Sequence, residues 1–81
     1  MVNFHDFLII WKSSNVKIKG MLCTLSEVND DYIVVIRGAK EGVMKRITIP
    51  FHAISSLEET SIRGSSGKPI ITKTIVLLAH E

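Results

Sequence analysis

Apolar residues recur along the chain in short stretches separated by polar turns, and alternation with a period of two is the commonest pattern. The alternation is clearest where Val16 and Ile18 are interleaved with lysines, and Tyr32 begins a run rich in β-branched residues. Short strands joined by tight turns in a chain of 81 residues are typical of small barrels. We therefore predict an all-β chain, a small, strongly bent, antiparallel barrel of five to six strands. The predicted strands are 4–12, 16–25, 32–36, 43–49, 54–58 and 70–79.

Gly20 marks a change of pattern within the second predicted strand. Before it only one face is apolar, whereas after it Met21, Cys23 and Leu25 join Leu22 in being apolar. A strand that begins half-exposed and ends buried on both faces is expected to bend, and a glycine permits the bend because it has no Cβ. The pattern predicts Gly20 as the bend of one long strand.

Turn-forming residues separate the remaining strands. Asn, Asp and Gly predict turns at 29–31 and 37–42. Pro50 is expected to stop the fourth strand, because proline cannot donate to a strand ladder. One tight helical turn is expected at 51–53, and the polar segment 60–69 is predicted as a loop.

Length and charge limit the possible functions. The chain has room for a single domain, 1–81, with a core at about 4–59 and an additional loop and strand at 60–81. A domain of this size gains further burial by self-association. The net charge of +2 is too small to require a nucleic-acid partner, although a local basic patch could still bind one.

Cys23 is the single cysteine, so an internal disulfide is excluded and a reducing, cytoplasmic location is expected. A zinc site built from several cysteines is excluded for the same reason. The start of the chain lacks the pattern of a signal peptide, and apolar runs such as 7–11 are too short to span a membrane. We expect no metal, no cofactor and no membrane partner.

One constellation of residues resembles a known family. It comprises a glycine, a hydrophobic residue two positions on, another three further, an aliphatic strand, and a His-Ala-Ile-Ser sequence after the fourth strand. These are Gly20, Leu22, Leu25, 33–35 and 52–55. Over roughly Phe7 to Glu59 the chain is similar to the Sm-like superfamily of small barrels, which includes archaeal Sm-like proteins and a bacterial RNA chaperone. Ile49-Pro50-Phe51 stands where the second motif of that family has Ile-Arg-Gly.

The resemblance implies a non-enzymatic protein that associates with itself into a ring and binds RNA or single-stranded nucleic acid. In such rings the fourth and fifth strands of neighbouring copies pair with each other. Src-homology barrels share the strand-turn-strand ending at 47–57, and a fold alone does not give a function. The alternative is therefore an interaction or scaffold protein without nucleic-acid binding.

Basic and aromatic residues around the fourth predicted strand are the candidates for nucleic-acid binding, because cations contact phosphates and aromatic rings stack on bases. They are Arg37, Lys40, Lys45, Arg46, Phe51 and His52. The alternatives are a solvated hairpin tip for the cations, a core position for Phe51 and a turn residue bonded to backbone for His52. Trp11 and Tyr32 are expected in the core or at an interface. The candidate residues for the interface between copies are Val43, Ile47, Ile49, Ile54 and Leu57.

No catalytic residues are predicted. Cys23 and the serines are possible nucleophiles, but none lies in a recognisable motif with a base and an orienting group. We therefore expect that the protein is not an enzyme.

Overall fold

The computed structural model describes residues 4–38 and 42–79, which form one helix, six strands and a short 3-10 turn. The elements are α1 (Phe4–Trp11), β1 (Asn15–Ile18), β2 (Met21–Val28), β3 (Tyr32–Gly38), β4 (Met44–Pro50), the 3-10 turn (Phe51–Ala53), β5 (Ile54–Arg63) and β6 (Pro69–Leu77). The expectation of a small, mainly β chain is confirmed.

The six strands form one open sheet in the order β4-β3-β2-β1-β6-β5. Neighbouring strands are antiparallel except β1 and β6, which are parallel and meet at Lys17 and Thr74. The prediction of a closed antiparallel barrel is therefore wrong: the sheet is mixed, and within the described residues β4 and β5 are its two edges.

Gly20 lies in a tight hairpin turn, so the predicted bend is also wrong. Lys19 and Gly20 both have positive φ, 52° and 77°, and they join Ile18 of β1 to its register partner Met21 of β2. A two-residue loop with two positive φ values is the type I′ turn, whose twist matches that of a hairpin. With a hairpin in place of one long bent strand, the six described strands form an open sheet.

The first predicted strand is a helix. Leu8 is fully buried and Trp11 is 6% exposed, and Phe4 packs partly buried beside them. Positions spaced four and three apart lie on one face of a helix, so these three side chains reach the core together. Ile10 lies on the opposite side and is 75% exposed. The β-branched residues favoured a strand locally, but burial of the helical face outweighs that preference.

The core lies between α1 and the inner face of the sheet. Its fully buried side chains are Leu8, Val16, Leu25, Ile33, Val35 and Ile75. They come from the helix and from the four central strands, β3, β2, β1 and β6. The edge strands are covered less well, and more than half of the positions in each of β4 and β5 are exposed.

The C-terminal part of the sheet is a long hairpin. β5 continues to Arg63, five residues beyond the predicted end at Glu58, so the predicted loop at 60–69 is too long. The connection is 64–68, and Gly67 has a φ of 84° in it. We call 59–63 and 69–73 the arm, because these residues pair with each other while β6 meets β1 only at Thr74.

The predicted turn at 37–42 is only partly described: Arg37 and Gly38 belong to β3, and 39–41 lie outside the described residues. Two other turns lie where the sequence predicts them. The turn between β2 and β3 lies at 29–31, where the Asn29 N–H donates to the carbonyl oxygen of Tyr32 at 2.9 Å. β4 ends at Pro50, and the expected helical turn follows at Phe51–Ala53. Pro50 is tolerated because β4 is an edge strand.

Candidate functional site

The predicted basic cluster is divided between the two faces of the sheet. Arg37 of β3 and Lys45 of β4 are direct register partners, and the next row on the same face is Val35 with Ile47. Since opposite residues of an antiparallel pair share a face, both cations continue the inner, core-facing row. They form a cationic pair where the apolar inner face ends.

Arg46 lies on the outer face, where an acid already binds it. Its Nη2 lies 2.7 Å from Oε2 of Glu27 in β2, and both side chains are largely exposed. The contact crosses the outer face of β3 next to Val34, the register partner of Glu27. Glu27 offsets much of the charge of Arg46, so this arginine is a weaker candidate for phosphate binding. Lys40 lies outside the described residues.

The cationic pair has no such partner. Among the described residues, no carboxylate lies within 4 Å of the side-chain nitrogens of Arg37 or Lys45. The guanidinium of Arg37 donates instead to the sulfur of Met21 at 2.6 Å. Like charges directly opposite on antiparallel strands destabilise the pair. An anion bound between Arg37 and Lys45 would relieve this repulsion.

Phe51 and His52 lie at the other end of β3 and β4. The Phe51 N–H donates to the carbonyl oxygen of Asp31, and its ring packs partly buried on the core, with its centroid 6.2 Å from that of His5. His52 is exposed. Five strand residues separate this end from Arg37, roughly 16 Å at about 3.3 Å per residue. The structure therefore does not bring the six candidate residues together.

Trp11 and Tyr32, expected in the core or at an interface, differ in burial. Trp11 belongs to the core. Tyr32 begins β3 and is 39% exposed. Trp11 is buried, and Tyr32 lies five residues from Arg37 along β3, so neither ring forms a stacking platform with the cationic pair.

The β4 edge of the sheet carries apolar and positively charged side chains. Val43, immediately before β4, and Met44, its first residue, are 61% and 67% exposed. Lys45 and Arg46 follow them and are also exposed. Apolar side chains this exposed at a sheet edge are typical of a contact surface.

The β5 edge lies beside a groove. This edge groove has a volume of about 270 Å³ and runs between α1 and β5, with Phe4, Phe7 and Trp11 on one wall and Leu57 on the other. Further along, β5 carries two consecutive carboxylates, those of Glu58 and Glu59. The two open edges of the sheet are therefore complementary, one apolar and basic, the other grooved and acidic.

The residues predicted for the interface between copies occupy different environments. Ile49 and Ile54 are each 5% exposed in the core of the chain, and Ile47 and Leu57 pack partly buried against that core. Val43 alone among the five is largely exposed. Pairing through β4 and β5 would thus use backbone groups and exposed flanking side chains, while the buried members hold each edge strand in place.

Comparison with protein-family models, with curated proteins and with solved structures found no match to this chain. Among the described residues, no helix is long and apolar enough to cross a membrane. In the same part of the chain, no group of three or more His, Cys, Asp or Glu side chains could hold a metal ion.

Proposed function

We propose that this protein is a non-enzymatic, self-associating protein of the cytoplasm whose copies join head to tail, β4 of one copy beside β5 of the next. The observation that carries the proposal is the complementarity of the two open edges: exposed Val43 and Met44 next to cations on one, and the edge groove next to carboxylates on the other.

Pairing of the edges follows from their chemistry. An edge strand presents unpaired N–H and C=O groups, and a second edge satisfies them without any change of fold. A contact between two different surfaces repeats from copy to copy, and it closes into a ring if the rotation between copies allows. The exposed apolar side chains at the start of β4, those of Val43 and Met44, would be shielded from water by the neighbouring β5.

The test is a charge placed on the apolar end of β4. Met44→Glu puts a carboxylate where the acidic β5 edge of the next copy would lie, so the mass measured by light scattering is expected to fall. Leu22→Glu is the matched control, because Leu22 is similarly exposed, at 60%, but lies on β2 inside the sheet. An unchanged mass for Met44→Glu, or an equal fall for both variants, would reject the β4 contact.

A second function, binding of RNA or single-stranded DNA, is favoured by the cationic pair. Arg37 and Lys45 lack an acidic partner among the described residues, and a phosphate would bridge them. Self-association would repeat this pair from copy to copy and so raise the avidity for a continuous strand.

The salt dependence of binding to a single-stranded oligonucleotide tests this second function. Replacing Arg37 and Lys45 together by Gln should reduce the slope of log K against log salt by about 1.4, at about 0.7 for each lost phosphate contact. Arg46→Gln is the matched control and should change the slope less, because Glu27 already offsets that charge. If the unsubstituted protein does not bind the oligonucleotide, the scaffold alternative stands.

A further inference from the structure

The arm extends beyond the body of the sheet. Its residues 59–63 and 69–73 pair only with each other, and nearly all are exposed. Ile62, Ile70 and Ile71 are 58%, 57% and 52% exposed. A two-stranded ribbon with apolar side chains in water is marginal on its own, whereas added strands make it stable. No other described part of the chain pairs with the arm. A partner from outside the chain would therefore stabilise it.

The charges along β5 indicate what that partner is. Glu59 and Arg63 lie on the same face of the arm, opposite Lys73 and Pro69 of β6. Ser61 lies midway between them on that face. If two copies of β5 pair antiparallel about a two-fold axis at Ser61, Glu59 of each copy faces Arg63 of the other. The strand is complementary to itself in this register.

Other registers do not achieve this match. A two-fold axis centred between two residues would place side chains of opposite faces across from each other, which antiparallel pairing forbids. Centring on Thr60 or on Ile62 leaves Glu59 and Arg63 facing other residues. The β6 side of the arm has no acid to oppose Lys73, and Pro69 lacks an N–H donor.

We propose that the partner of the arm is the arm of a second copy, joined by antiparallel β5–β5 pairing about a two-fold axis at Ser61. Each Glu59 carboxylate accepts hydrogen bonds from Arg63 of the other copy, so the charge match occurs twice. Thr60 faces Ile62 across the axis on the other face, which covers part of the exposed isoleucine. This contact goes beyond the head-to-tail association, because it uses 59–63 and does not require β4, and it leaves 54–58 of β5 for the head-to-tail contact.

Paired charge reversals test the contact. They are made in the Met44→Glu protein, in which the head-to-tail contact is removed, and the mass of each variant is measured by light scattering. The Met44→Glu protein is expected at twice the mass of one chain. Adding Glu59→Arg places two cations opposite each other at both ends of the contact, and adding Arg63→Glu places two carboxylates there. Each of these proteins is expected at the mass of one chain.

Mixing the two charge-reversed proteins is the decisive step. In a mixed pair, the new arginine of one copy faces the new glutamate of the other, and the original Arg63 and Glu59 face each other at the second position. The doubled mass should return on mixing, which also shows that both proteins are folded. Glu58→Arg is the matched control, because in this register Glu58 faces Gly64, and this variant should keep the doubled mass.

A single-chain mass for Met44→Glu itself would overturn the arm contact. It would also be overturned if either reversal left the mass doubled, or if the mixture stayed at one chain. Failure of the head-to-tail proposal has a different signature, a mass that Met44→Glu does not change relative to the unsubstituted protein.

Discussion

The turn at Lys19 and Gly20 gives a prediction that separates a hairpin from a bent strand. Gly20 has a φ of 77°, and a Cβ added there would meet no atom within 4 Å. The cost of a side chain is therefore conformational, about 1 to 2 kcal/mol for an L-residue in the left-handed region. Gly20→Ala should cost about that amount, Gly20→Asn less because Asn tolerates this region, and Gly20→Val more because it is β-branched.

The magnitude is large enough to measure by urea unfolding. A chain of this length has a free energy of unfolding of about 4 to 12 kcal/mol, at about 0.05 to 0.15 per residue. With a slope of about 1 to 2 kcal/mol per molar urea, Gly20→Ala should lower the midpoint by about 0.5 to 2 M. All variants are compared at one protein concentration, because association stabilises the folded state.

Gly38 supplies the matched control for this series. A Cβ there also meets nothing within 4 Å, but the φ of Gly38 is not positive. Gly38→Ala should therefore be neutral or stabilising by up to about 1 kcal/mol, since it restricts the unfolded chain. If Gly20→Val proved more stable than Gly20→Asn, Gly20 would have to lie in an extended strand, and the hairpin would be refuted.

Two further predictions concern the core. Leu8→Ala should lower the free energy of unfolding by about 2 to 5 kcal/mol, because Leu8 is fully buried. Ile10→Ala should change this free energy by no more than about 0.5 kcal/mol, because Ile10 is exposed. A larger loss for Ile10→Ala than for Leu8→Ala would contradict the orientation of α1. The thiol of Cys23, 4% exposed, should react with a thiol reagent only as the chain opens, and a Leu22→Cys/Cys23→Ala protein should react at once because Leu22 is 60% exposed. Equal reaction rates for the two proteins would place Cys23 outside the core.

The change of apolar pattern at Gly20 is the signal of a hairpin, although we interpreted it as the bend of one strand. The inner residues of β1 are at even positions, Val16 and Ile18, and those of β2 are at odd positions, Cys23 and Leu25. A two-residue turn produces this change of parity, because Ile18 pairs with Met21. Leu22, which made both faces after Gly20 look apolar, is largely exposed. The apolar count alone could not distinguish an exposed leucine from a buried one.

The helix and the arm were missed for opposite reasons. At α1 the spacing of Leu8 and Trp11 carries the helical signal, but the adjacent Ile9 and Ile10 have a strong preference for strands. In the arm the polar sequence that begins at Thr60 reads as the start of a loop, because both faces of a projecting ribbon meet water. Sequence patterns identify strands by apolar residues that become buried. In α1 the β-branched isoleucines are exposed, and in the arm the strand residues are exposed on both faces.

The candidate site was predictable in composition but not in geometry. Arg37, Lys45 and Arg46 are close in the sheet, as their positions on either side of one connection suggest. Which face each side chain occupies depends on the register of β3 with β4, and this separates Arg46 from the other two. The position of Glu27 beside Arg46 follows from an irregularity in the register of β2 with β3, which the sequence does not reveal.

The mass of the unsubstituted protein in solution, measured by light scattering over a range of concentrations, tests the central claim most directly. Association through open sheet edges predicts a mass of several chains that decreases on dilution or on Met44→Glu substitution. A mass equal to that of one 81-residue chain at every concentration, up to the high micromolar range, would contradict the proposed self-association.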